Sequence, residues 1–212
     1  MVKEQLRARS IRDERVLEAM ATVPRHEFVP VRQASAAYED RALPIGEWET
    51  ISQPFIVALM TEAADIGPRD CVLEVGTGTG YQAAILAHLG ARVHTVELNP
   101  ALAEKARGRL NRLGYGDAVE IITGDGSEGY AAAAPYDAIL VTAASPAAPQ
   151  SLLDQLVDGG RLIIPIGSRH EQELRVITKV DGRTSARPLS SVQFVPLIGK
   201  EGWSDLGRWP IL

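Results

Sequence analysis

The sequence predicts an α/β protein: a doubly wound, mostly parallel seven-stranded sheet with an N-terminal helical extension and an antiparallel C-terminal hairpin. Three observations predict it. From Asp70 onward, short apolar runs alternate with helical stretches, the pattern of βαβ units and a parallel sheet. The last two apolar runs are joined only by the polar stretch VDGRTSARP, too short for a crossover helix, so those two strands should be antiparallel. Ahead of the alternation lies a charged, helix-patterned segment that belongs to no βα unit.

In that segment, over residues 11–22, Ile11, Val16, Leu17 and Met20 share one face at near-helical spacing. PRHEFVP ends it, because proline breaks helices. Residues 38–53 are rich in turn formers and read as loop, and a second helix is expected over 54–64. CVLEV then reads as a buried strand, followed by GTGTG and a helix over 81–89. ARVHTVE is the next strand. The helix after it has Asn99 as N-cap, Pro100 at its first position and Gly114 as its stop. Strands over 118–122 and 136–142, a helix over 149–156, and strands over 161–167, 173–179 and 191–196 complete the alternation. Residues 1–67 are read as the extension and 68–212 as the α/β part of one compact unit.

The length of 212 residues suits one domain that buries its core without staples. With 45% apolar and 23% charged residues, the composition is that of a globular chain rather than a disordered one. Lys and Arg number 22 and Asp and Glu 27, a net charge of −5, so neither nucleic acid nor an anionic membrane is an expected partner. The single cysteine, Cys71, excludes an internal disulfide and any cysteine-cluster metal site. The N-terminus has no apolar signal region, and the uncharged stretch 138–153 is broken by Pro146 and Pro149. A cytoplasmic monomer without a metal is the expectation.

The ligand of a doubly wound sheet lies at the carboxyl ends of its first strands. Gly76, Gly78 and Gly80, with Thr77 among them, follow the first of these strands and open a helix. Glycines there allow a sharp turn and close backbone approach, and the helix N-terminus favours an anionic group. The spacing is G-x-G-x-G, not the dinucleotide fingerprint G-x-G-x-x-G. A plain βα turn would look the same. Two carboxylates strengthen the ligand reading. Glu97 ends the second strand, where an acid can accept both hydroxyls of a ribose. Asp125 lies in GDG after the third, where flanking Gly126 lets it approach a planar ring with an exocyclic amine. Taken singly, these are a solvated strand end and a turn.

Together, VLEVGTGTGYQAAILA, Glu97 and Asp125 resemble the layout of class I S-adenosylmethionine-dependent methyltransferases, whose Rossmann-like sheet matches the fold read above. That resemblance implies S-adenosylmethionine as cofactor. It places Glu74 near the methionine moiety and Leu98 on the adenine; Leu98 is equally readable as core. AYEDRALPIGEWETISQPF, VPRHEFVP, GDGSEGY, APYDAILVTAA, LLDQLVDGGRLIIPIG and FVPL are similar to the motifs of protein-L-isoaspartate O-methyltransferases, over most of residues 23–203. The likeness implies methyl esterification of isoaspartyl residues in damaged proteins, and repair through a succinimide. It gives Ser52 the role of aiming the acceptor carboxylate, with Thr50 and Ile51 walling the cofactor. Ser52 also reads as an N-cap before Pro54. Phe55 stands where many relatives carry His or Tyr, and Gln53 where a small residue is common; Trp48 is assigned no role.

The chemistry is consistent on its own terms. A carboxylate acceptor has a pKa of about 4, so it is already ionised at pH 7 and needs no general base. No Ser/His/Asp or Cys/His arrangement stands out, and His26, His88, His94 and His170 do not cluster. His26 is expected to order the N-terminal loop, His88 and His94 to lie at the surface or cap, and Trp203 and Trp209 to pack. Val195, Pro196 and Leu197 are expected to lend main-chain hydrogen bonds to an extended peptide. Three alternatives remain: an aspartate-directed peptide methyltransferase driving aspartimide formation, an NAD(P)-dependent oxidoreductase, and a non-catalytic peptide-binding module.

Overall fold

The structure, a computed structural model, describes residues 1–46 and 49–204; Trp48 and Trp209 lie outside them. The seven-stranded sheet expected from the alternation is present, in the order β5-β4-β3-β6-β7-β8-β9. The strands are β3 (Cys71–Val75), β4 (Arg92–Glu97), β5 (Val119–Thr123), β6 (Tyr136–Val141), β7 (Leu156–Gly167), β8 (Gln172–Val180) and β9 (Arg183–Val192). β3 is parallel to both β4 and β6, so the chain winds outward on one side and returns to the other. That reversal makes the carboxyl end of β3 the switch point where ligands bind in such sheets. β8 runs against both β7 and β9.

Every residue of β3 is buried, as a strand covered on both faces requires. Helices α2 (Pro54–Ala64) and α3 (Tyr81–His88) cover one face together with α1 (Glu14–Thr22). A continuous apolar cluster runs from Leu6, Leu17 and Phe28 in the extension to Tyr81, Leu86 and Ile163 of the α/β part. Helix α4 (Pro100–Arg112) begins as its sequence indicates, with the Asn99 side chain accepting from the Ala101 N–H at 2.9 Å. Gly114 beyond it has φ +82°. α5 is short, Gln150–Asp154.

Three expectations are corrected. Residues 38–53 are not all loop: β1 (Leu43–Gly46) and β2 (Glu49–Ile51) form an antiparallel pair. The stretch VDGRTSARP is not a loop either. Asp181 and Gly182 have φ of +50° and +71°, the tight hairpin turn that Asp-Gly favours, and β9 starts at once. The last strand therefore ends at Val192; beyond it Phe194 is held by the Gln172 side chain of β8, and Pro196 forms a parallel bridge with Ala144. β7 starts at Leu156, five residues before the expected Arg161, because a bulge lengthens it between its contacts with Tyr136 and Ala138.

Candidate active site

The glycine turn is built by β3, β4 and β6 together. The Gly76 N–H donates to the Val96 carbonyl at 2.9 Å, and the Thr142 hydroxyl donates to the Gly76 carbonyl at 2.7 Å. Gly76 has φ +95°, and a Cβ there would collide with that same hydroxyl, so both conformation and space demand glycine. Buried Thr77 shares a 2.7 Å hydrogen bond with the Thr95 hydroxyl. Gly80 is the N-cap of α3.

Glu97 sits at the end of β4, nearly buried, and is already at work in the turn. Its Oε2 accepts from the Gly78 N–H at 2.8 Å and its Oε1 from the Asn99 N–H at 3.0 Å. Each carboxylate oxygen has a second lone pair, so acceptance from a ribose is compatible with this bracing. Leu98 next to it is 51% exposed, which excludes the core reading and leaves its apolar surface open at the strand end.

Glu74 is fully buried in β3. The Thr95 hydroxyl donates to its Oε2 at 2.5 Å, while Oε1 has no hydrogen-bond partner. Burial raises its pKa to about 8; the Thr95 hydroxyl and the Ala83 N–H oppose this, and the Glu97 charge adds to it. Burial likewise lifts Glu49 of β2 to about 7, again with Glu97 adding to the rise. Among the described residues no Lys or Arg bridges Glu49, Glu74 or Glu97. A cluster of acids with an orphaned carboxylate oxygen suits a cationic ligand with N–H donors. S-adenosylmethionine, with its sulfonium and ammonium groups, fits that requirement.

Asp125 caps a short helical turn, Gly126–Glu128. Burial would raise its pKa, but donors outweigh burial and hold it below the usual range. They are the Lys200 N–H at 2.8 Å, the Ser127 hydroxyl at 2.7 Å and the Ser127 N–H at 2.9 Å. Asp125 thus ties the segment around Lys200 to the end of β5, a tether the sequence does not reveal. Gly126 is buried, and a Cβ there would stand 2.5 Å from Val75 Cγ1.

On the acceptor side, Thr50 pairs with Pro44 across the small hairpin, and Ile51 turns into the core at 4% exposure. Ser52 is partly exposed just before α2. It is not the cap: Gln53 is, without a side-chain bond to the helix. Ser52 is held instead through its carbonyl, which accepts from Arg25 Nη2 at 2.7 Å. The two departures from the family pattern have structural partners. Gln53 Nε2 donates to the Asp40 carbonyl at 2.9 Å, and the Phe55 ring lies 3.5 Å under the Arg9 guanidinium, which pairs with Asp40.

Val195, Pro196 and Leu197 border the same end of the sheet. The Val195 carbonyl accepts from the Ala144 N–H at 2.7 Å, and the Leu197 N–H donates to the Ala144 carbonyl at 2.8 Å. The Leu197 carbonyl accepts from the Trp203 N–H at 2.7 Å. The Val195 N–H and Pro196 carbonyl are the main-chain groups outside these bonds.

Three of the four histidines have structural partners. His26 bonds the Tyr38 hydroxyl at 2.7 Å, ordering the N-terminal loop as expected. His88 lies between Glu18 and Tyr115. His94 corrects the surface expectation: it is 8% exposed within β4, beside Tyr130 and Tyr136, with Nδ1 3.0 Å from Glu120. The described residues contain no group of His, Cys, Asp or Glu suited to a metal.

A doubly wound sheet of this order, with a glycine turn at its switch point braced by the acid of the neighbouring strand, places the chain among class I S-adenosylmethionine-dependent methyltransferases. Comparison with known proteins narrows the class. The family described as Protein-L-isoaspartate(D-aspartate) O-methyltransferase (PCMT) matches residues 1–202, and the chain belongs to that family. A protein-L-isoaspartate O-methyltransferase of Methanoculleus marisnigri is 57% identical over 96% of this chain and 92% of its own. One from Koribacter versatilis is 56% identical over 96% of this chain and 91% of its own. A solved protein-L-isoaspartate O-methyltransferase superposes with a TM-score of 0.85 at 30% identity, over 95% of this chain and 67% of that one. Another, from Plasmodium falciparum in complex with S-adenosyl-L-homocysteine, gives 0.81 at 27% identity over 93% and 96%.

Proposed function

We infer that this chain transfers the methyl group of S-adenosylmethionine to the free carboxylate of L-isoaspartyl residues in proteins and peptides. Family membership over residues 1–202 carries the reading. When bound, S-adenosylmethionine supplies a methyl group on a sulfonium, so the leaving group is neutral and needs no acid. In our reading Gly76, Thr77, Gly78 and Gly80 approach the cofactor through the main chain. Glu97 takes the ribose, Asp125 and Gly126 the adenine amine, Leu98 the adenine face and Glu74 the methionine end. Thr50 and Ile51 close the acceptor side.

Ser52 is the residue we assign to the acceptor. Its hydroxyl donates to one oxygen of an already ionised carboxylate and leaves the other aimed at the methyl, a positioning role with no proton removed. An acceptor already ionised at neutral pH calls for no histidine base. A substrate peptide would lie along residues 195–197, using the Val195 N–H and the Pro196 carbonyl. The resulting ester gives a succinimide when the following main-chain nitrogen displaces methanol, and hydrolysis of the ring returns part of the material as normal aspartate. We take the chain to act as a monomer, with residues 1–67 as an extension carrying the acceptor loop. Neither nucleic acid nor a membrane belongs to this reading, and no helix among the described residues is long and apolar enough to cross one.

The test is radiolabelled methyl transfer to two matched peptides, one isoaspartyl and one aspartyl. The two differ by one methylene in the main chain, which shifts the carboxylate relative to the methyl. We expect about a hundredfold preference for the isoaspartyl peptide. Equal rates would defeat the reading, and preference for the aspartyl peptide would favour the aspartimide-forming alternative.

A further inference from the structure

Arg25, in the PRHEF segment, is among the largest fully buried side chains of the protein. Among the described residues no carboxylate pairs with it. Its Nε donates to the Ala37 carbonyl and its Nη2 to the Ser52 carbonyl, both at 2.7 Å. Its guanidinium carbon lies 4.9 Å from the centroid of the Tyr81 ring, and that ring meets Phe28 edge-on. Nη1 has no partner, and burial pushes the guanidinium pKa down.

A buried cation held by two carbonyls and a ring face is costly, and an apolar side chain of similar volume would pack there more cheaply. What only a guanidinium provides is a rigid planar fork of donors. The fork joins three parts of the chain. Ala37 precedes the acceptor segment, Ser52 ends it, and Tyr81 is the first residue of α3, directly after the glycine turn.

We propose that Arg25 is a positioning residue for the methyl-transfer step, fixing the Ser52 main chain against the first turn of α3 so that the Ser52 hydroxyl stays in register with the cofactor loop. The inference rests on the role given to Ser52 above. Arg25 touches neither substrate nor cofactor, so its effect should appear in turnover and pass through Ser52.

The test is a double-mutant cycle between Arg25→Met and Ser52→Ala, read as kcat under saturating substrates beside calorimetric affinity for S-adenosylhomocysteine. Arg25→Met alone should lower kcat by about tenfold or more. Affinity for S-adenosylhomocysteine should stay within about twofold, because Glu97 and the glycine turn are untouched. In the Ser52→Ala background the same substitution should cost less than about twofold. Arg25→Lys, which keeps the charge but loses the fork, should fall between wild type and Arg25→Met; it carries the same cycle if the methionine variant fails to fold. Losses that multiply in the double variant, or cofactor affinity that falls in step with kcat, would overturn the proposal. Wild-type turnover in Ser52→Ala alone is a distinguishable failure, since it removes the serine role itself and the positioning role with it.

Discussion

The two sides that we assign to cofactor and to acceptor are built by different means. On the cofactor side, Gly76, Glu97 and Asp125 stand at or just past the ends of three adjacent parallel strands, β3, β4 and β5. Their places follow from main-chain pairing, and the Glu97 carboxylate merely locks the turn it faces. On the acceptor side, Ser52 follows a three-residue strand of a separate two-stranded sheet. Its surroundings are fixed by long side chains: Arg25 from the extension on its carbonyl, and the neighbouring Gln53 reaching the Asp40 main chain. One half is set by the sheet, the other by contacts across the chain. Substitutions should therefore separate cleanly, affinity from the first and turnover from the second.

The largest effect should come from the acceptor side. Ser52→Ala removes one oriented hydrogen bond to the acceptor, and turnover should fall about ten- to a thousandfold. Cofactor affinity should hardly move. Single-turnover methyl transfer beside calorimetry measures both, and a variant with unimpaired turnover would reduce Ser52 to a structural residue.

The cofactor side should respond in the opposite sense. Glu97→Ala should weaken S-adenosylmethionine binding by about 2–3 kcal/mol, because a charge-assisted acceptor is lost and the Gly78 and Asn99 N–H groups lose theirs. Glu97→Gln keeps one acceptor oxygen and should lose less. Unaltered affinity in both would take Glu97 out of the site.

This contrast also explains what was legible in the sequence. The turn glycines, Glu97 and the Asn99 cap could be read because local chemistry decides them: positive φ, a strand end, a free N–H. The β1–β2 pair could not, since strands of four and three residues carry too little alternation to register. The β8–β9 turn could have been read, because Asp-Gly between β-patterned runs is a strong hairpin signal that the polar residues after it obscured. Arg25 and the tether from Asp125 to Lys200 are tertiary facts. Their partners lie 27 and 75 positions away, and no window on the sequence joins them.

Asp125 sharpens the comparison because it touches both halves. Asp125→Asn exchanges one acceptor oxygen for a donor that cannot serve the Lys200 N–H or Ser127. If Asp125 also meets the adenine amine, S-adenosylmethionine and S-adenosylhomocysteine should weaken equally, by about tenfold, or ~1.4 kcal/mol. Peptide KM should rise less, through loosening of the segment after Leu197. A loss confined to the peptide would move Asp125 to the acceptor side.

The smallest expected effect concerns pH and again belongs to the cofactor side. With pKa values near 7 and 8, Glu49 and Glu74 hold protons in the free protein at pH 6 and release them as pH rises. A nearby sulfonium favours their charged forms, so binding a cation expels protons and tightens with pH, levelling above about 8. S-adenosylhomocysteine keeps the ammonium and carboxylate but lacks the sulfonium charge. The ratio of the two affinities therefore isolates the carboxylates, and it should shift toward S-adenosylmethionine by about threefold between pH 6 and 8. The same raised values make the unliganded native state bind more protons than the unfolded chain, whose glutamates titrate near 4.5. This contribution to stability is full below pH 4.5 and is lost as pH rises through 7 and 8. Glu74→Gln should flatten both the affinity ratio and this part of the stability profile. An affinity ratio that stays constant with pH in the wild-type protein would mean that neither carboxylate senses the sulfonium, and the cationic half of the cofactor would have to lie away from both.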